Sequence, residues 1–164
     1  MRLNAKRRTL YAKRYTLYPF SGFTLIEILV VMTLLAVLTG LTIPVGLRFL
    51  RNEQLTSAGD DVIQSLRRAQ ELSRIQERDS SYGVFFTNSG YTFFKGTSYS
   101  GRDTVYDEIY ELPSGVSATT NLAESDVVFG KLSGVPSEVG LISLSNSAGS
   151  ENIEINSAGR ISFL

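Results

Sequence analysis

The sequence predicts an α+β fold, with one long N-terminal helix packed through its distal half on a small antiparallel β-sheet. Three observations carry that prediction. Residues Ile28 to Leu47 run for twenty positions without a charge. Leu55, Ala58, Val62, Leu66, Ala69 and Leu72 then recur at three- and four-residue steps, the period of a helix with one buried stripe. From Tyr82 onward, short runs rich in Val, Ile, Tyr and Phe are separated by Gly, Ser, Asn and Pro, as strands are separated by turns.

The length of 164 residues suits one ordinary domain. Apolar residues at 43% and charged residues at 20% exclude bulk disorder and a polytopic membrane protein. The net charge of zero is a cancellation. Residues 1–22 hold six basic groups and no acid, whereas the rest of the chain holds ten basic and sixteen acidic groups. There is no cysteine, so disulfides, thiolate metal sites and cysteine nucleophiles are excluded. There is no histidine either, which removes Ser-His-Asp hydrolysis and most zinc chemistry. The expectation is a protein that is not an enzyme and uses no cofactor.

The uncharged run opens the helix. Counted from Phe23 to Leu47, a helix would reach about 37 Å at 1.5 Å per residue, against a hydrocarbon core of about 30 Å. The basic residues precede it, which orients a single span with its N-terminus in the cytoplasm and its C-terminal part outside. A cleaved secretory signal fits poorly, since the apolar run is too long and no small-residue cleavage site closes it. Glu27 stands inside this segment. An ionised carboxylate in a bilayer costs roughly 2.5 to 3.5 kcal/mol at mid-helix, so it is either solvated at the interface or has a partner.

Around that carboxylate the chain reads Ser21-Gly22-Phe23-Thr24-Leu25-Ile26-Glu27, between a basic leader and an apolar helix. This string resembles the class III signal of type IV prepilins and type II secretion pseudopilins. The resemblance implies cleavage after Gly22 by a prepilin peptidase and N-methylation of Phe23, with the apolar segment retained. It also implies that Glu27 sets register by pairing with the N-terminal amine of a neighbouring subunit. A glycine before the cut lets an extended backbone lie close against a protease. The implied partners are the peptidase, fellow pilin subunits and an inner-membrane assembly platform. The implied location is the inner membrane and then an extracytoplasmic filament. At 22 residues, with Tyr11, Tyr15 and Tyr18, the leader departs from the family pattern in length.

On this reading residues 1–22 are a leader, 23–47 the membrane and filament-core half of the helix, 48–79 its amphipathic half and 80–164 the head. Pro44 and Gly46 fall inside the helix. Proline deletes a backbone donor and clashes with the preceding turn, so a kink or melted stretch is expected near residues 40–46. The alternative is that Pro44 ends one helix and begins a linker. In the head, Tyr82–Phe86 and Tyr91–Lys95 flank Thr87-Asn88-Ser89-Gly90, a hairpin signal. Further strands are expected at 105–112, 127–129, 141–144, 153–155 and 160–163, the last two joined by Asn156-Ser157-Ala158-Gly159. The pattern of Val127-Val128-Phe129, Gly134, Leu141 to Leu144, Ile153 to Asn156 and Gly159-Arg160-Ile161 resembles the GspH/FimT-type minor pseudopilin head.

Three further candidates were weighed. Asp103, Asp107 and Glu108 offer oxygen ligands for a hard cation, but with no EF-hand spacing they read as solvated loop acids. A competence-type role, in which the head binds DNA or another ligand, needs phosphate-neutralising cations. From residue 80 onward there are four basic groups against nine acidic ones, which argues against nucleic acid. Tyr82, Phe85, Phe86, Tyr91, Phe93 and Phe94 are expected to be about half buried, on alternating strands.

Overall fold

The computed structural model describes residues 22–164, and for 41–45 the backbone only. Residues 1–21, all but the last position of the expected leader at 1–22, lie outside the described residues. The chain divides into two compact units between Gly40 and Leu41.

Helix α1 runs without a break from Leu25 to Arg74. Helical backbone therefore continues through residue 44, and no linker begins there. The side chains at 41–45, Pro44 among them, lie outside the described residues. Among the described residues no helix is long and apolar enough to cross a membrane. The span expected at 23–47 includes those five positions.

The stripe read from the sequence is the buried face of α1. Leu55, Ala58, Val62, Leu66 and Ala69 are buried, Leu72 is partly buried, and Ile63 and Ser73 join them. Gly59 lets the sheet come close, since a Cβ there would lie 2.8 Å from both Glu151 Oε2 and the Phe163 ring. The helix ends at Arg74, where Gln76 turns left-handed at φ 54° and a 3-10 turn, Glu77–Asp79, leads into the first strand.

Eight strands follow: β1 Tyr82–Thr87, β2 Gly90–Lys95, β3 Glu108–Glu111, β4 Ser117–Thr120, β5 Asp126–Phe129, β6 Gly140–Ser145, β7 Ser150–Ile155 and β8 Ile161–Phe163. They form two four-stranded antiparallel sheets, ordered β3-β2-β1-β5 and β4-β6-β7-β8. The single expected run at 105–112 divides into a 3-10 turn, Thr104–Tyr106, and β3. Strand β4, sequence SATT, was not expected. The core between the sheets and α1 includes Val84, Phe93, Val127, Phe129, Ile142, Leu144 and Ile153.

Strands β1 and β2 are buried on both faces, so five of the six aromatics are core and only Phe85 is partly exposed. Register explains the two sides. Tyr82, Val84, Phe86, Tyr91 and Phe93 face the main core. On the reverse face Phe94 lies across from Gly83, and a Cβ on Gly83 would approach the Phe94 ring to 2.6 Å. Tyr99 then covers that face, stacked on Phe85 at 3.8 Å and edge-on to Phe94 at 5.6 Å. Tyr99 is itself held by Arg102, whose guanidinium lies 3.8 Å from its ring centroid and whose Nη1 donates to the Tyr99 carbonyl at 2.7 Å. The loop between β2 and β3 is thus a second, smaller core.

Candidate processing and assembly site

Gly22, Phe23 and Thr24 precede the helix in extended or irregular backbone, and all three are exposed. A Cβ on Gly22 would meet nothing within 4 Å, so no contact among the described residues calls for glycine there. Phe23 is 77% exposed, an aromatic ring with little packing among the described residues. Thr24 is the N-cap. Its hydroxyl accepts from the Glu27 N–H at 3.3 Å, which satisfies one of the orphan donors of a helix start, and its carbonyl accepts the first intrahelical bond, from the Ile28 N–H at 3.2 Å. Glu27 falls in the first turn, where the helix dipole favours negative charge. It is exposed and lies four residues beyond Phe23.

From Ile28 to Gly40 the helix is uncharged on every side. Leu29, Val31, Leu34 and Leu38 are each about half exposed. Among the described side chains of this stretch, the hydroxyls of Thr33 and Thr39 are turned inward on the helix. Thr33 donates to the carbonyls of Leu29 and Val30, and Thr39 to those of Leu35 and Ala36, at 2.8 to 3.1 Å. A hydroxyl satisfied by its own backbone needs no water, so it suits an apolar setting. The surface left is apolar and uncharged.

The acids of the head have partners of another kind. Arg68 grips Glu108 through two bonds of 2.6 and 2.7 Å, and the Tyr110 hydroxyl donates to the same carboxylate at 2.7 Å. These bonds, Arg68 first and then Tyr110, hold the Glu108 carboxyl below its ordinary range. Asp107 pairs with Arg102 at 2.8 Å, and Asp103 lies 3.8 Å from Lys95 while accepting from the Val105 N–H. Asp103, Asp107 and Glu108 are therefore separately engaged with cations. Among the described residues no group of carboxylates is placed to hold a metal ion. A cleft of about 360 Å³ beside them is lined by Arg68, Arg78, Tyr106 and Phe93, with a rim of paired charges.

Two elements of the site were missed in the sequence. Thr24 as N-cap carries a signal, since Thr-x-x-Glu before an apolar run is a capping-box pattern. Gln70 carries none: its Nε2 donates to the carbonyls of Gly134 at 2.9 Å and Gly159 at 2.8 Å, joining two loops.

Residues 19–43 match the family model described as the prokaryotic N-terminal methylation motif. No curated protein matches the chain by sequence. Among solved structures, the chain is similar to the type IV minor pilin FimU of Pseudomonas aeruginosa, at 17% identity and a TM-score of 0.56, over 71% of this chain and 92% of that one. It is also similar to the minor pseudopilin EpsH from the type 2 secretion system of Vibrio cholerae, at 15% identity and a TM-score of 0.54, over 68% of this chain and 96% of that one. At these identities the likeness is one of fold. The chain therefore joins the prepilin-type N-terminal methylation motif to the helix-and-sheet fold of the type IV pilins and pseudopilins.

Proposed function

We propose that the chain is a structural subunit, a minor pilin or pseudopilin of GspH/FimT type, in a type II secretion or type IV pilus-like filament. The observation that carries this reading is the methylation motif at 19–43 set at the start of a helix that continues into a pilin-like head. A prepilin peptidase cuts after Gly22 and the new terminus at Phe23 is N-methylated. The mature chain waits in the inner membrane as a single span, head outside, and passes through an assembly platform into a filament of pilin subunits.

In this account the exposed, side-chain-free position at Gly22 serves the peptidase, where a larger residue would obstruct the approach of the backbone. Cutting leaves a cationic amine at Phe23, one helical turn before Glu27. A carboxylate uncompensated in lipid gains a partner when the amine of a neighbouring subunit meets it, so extraction from the bilayer and axial register are linked. Pro44 and Gly46 weaken the backbone bonding of α1 between the membrane half and the head, giving a place to bend as helices pack. The test is incorporation into sheared filaments. Glu27→Val is processed normally but recovered in filaments at a small fraction of the wild-type level; equal recovery refutes the register role.

A further inference from the structure

We infer that β3 is a docking edge for an extended, cationic segment of another protein chain. The two sheets have four edges, and three are met by the chain itself. Along β5, Val128 donates to Ser137 Oγ at 3.1 Å and accepts from the Ser137 N–H at 2.7 Å. At β8 the Ile161 carbonyl accepts from Arg67 of α1 at 3.2 Å. At β4 the Ala118 N–H donates to the Asn88 carbonyl at 3.0 Å. Strand β3 differs. The Leu112 N–H donates to Ser89 at 2.9 Å, so the alternation of an antiparallel pair places Tyr110 and Glu108 in bonds to β2. The N–H and C=O of Ile109 and Glu111 then face outward, and no group of the described residues bonds to them.

An outward row of ladder groups is a template for one more strand. The side chains beside it state what that strand carries. Ile109 is 77% exposed on one side of the edge, and Val105, just before β3, is 83% exposed. On the other side a groove of about 460 Å³ runs between α1 and β3, lined by Asp61, Gln64, Ser65, Arg68, Tyr91 and Tyr110. Arg68 is already committed to Glu108, which leaves exposed Asp61 as the charge of that groove. Glu111 is a second exposed acid, at the end of the strand on the same side as Ile109. The head beyond residue 80 carries nine acids to four bases. A strand alternating apolar and basic residues matches both sides: apolar side chains lie against Ile109 and basic ones reach toward Asp61. This inference uses β3 and the distal half of α1 and stands apart from the processing of the N-terminus.

The test is hydrogen exchange of the full chain in detergent, with two short synthetic peptides, one alternating lysine and valine and one alternating glutamate and valine. The lysine peptide slows exchange at the outward amides of Ile109 and Glu111 about tenfold, the signature of newly bonded amides, and the glutamate peptide does not. Ile109→Pro removes an outward N–H and no bond to β2, so it keeps the wild-type melting temperature and loses the protection. Ile109→Lys leaves the backbone unchanged, repels the basic peptide, and decides the matter if the proline variant is unfolded. No slowing by the lysine peptide, equal slowing by both peptides, or protection that survives in Ile109→Lys overturns the proposal.

Discussion

The side-chain amide of Gln70, on α1, donates both to the Gly134 carbonyl and to that of Gly159, at 2.9 and 2.8 Å. One helical residue thereby ties the β5–β6 loop to the β7–β8 turn. Both glycines have left-handed backbone, at φ +61° and +77°, which a side chain occupies only with strain. A Cβ on Gly159 would also land on Gln70 Nε2, and one on Gly134 would lie against the Arg74 side chain. These two glycines belong to the pattern that made the head look like a GspH/FimT-type pseudopilin, and this geometry gives a physical reason for them.

Gln70→Ala leaves two carbonyls without their donor and lowers stability by about 1 to 3 kcal/mol. Gly159→Ala adds left-handed strain to the loss of room, so it destabilises by more than Gln70→Ala. Urea unfolding of the full chain in detergent ranks the two. Equal or reversed effects would contradict the clamp.

Ser73 is fully buried in the last turn of α1, and its Oγ accepts from the Tyr82 N–H at 2.9 Å. Its carbonyl accepts from the Leu132 N–H at 3.0 Å. The helix end is thus bonded to the start of β1 and to the loop after β5. Ser73→Ala orphans a buried N–H and costs about 1 to 3 kcal/mol. Hydrogen exchange then quickens at Tyr82 while Val84, mid-strand, keeps its protection.

The Arg68–Glu108 pair gives a pH dependence whose sign is fixed. Glu108 titrates below its ordinary range when folded, because Arg68 and Tyr110 bond the charged form. The pair therefore contributes fully above the unfolded glutamate value, and its contribution fades as pH falls through the lower, folded one. Both side chains are more than a third exposed, at 49% and 41%, so water and salt hold the amount to about 1 kcal/mol or less. In Arg68→Ala the Glu108 carboxyl, followed by NMR, moves up toward its ordinary range. Stability above neutral pH falls slightly, while stability at strongly acidic pH is unchanged.

Much of the fold was legible because its signals are local. The stripe from Leu55 to Leu72 repeats within one helix, and the hairpin around Asn88-Ser89 is set by neighbouring residues. What was not legible depends on distant pairing. Strand β4 has a single fully buried residue, Ala118, and little β-forming character beyond its threonines, yet it edges a sheet because β6 lies beside it. The division into two sheets follows from β5 joining β1 and β4 joining β6, which no local pattern announces. The aromatics were underestimated as core because Tyr99, in a loop of Gly, Thr and Ser, covers the face expected to be open. At the N-terminus the motif itself could be read residue by residue, while its N-cap contact, Thr24 to Glu27, needed the helix start to be placed.

The most direct test of the account is the intact mass and N-terminal residue of the chain recovered from membranes that contain an active prepilin peptidase. The expected product is a mature chain that begins at N-methylated Phe23, with Gly22→Val left at full length under the same conditions. A wild-type chain that still begins at Met1 beside a peptidase shown to cut another prepilin would contradict it.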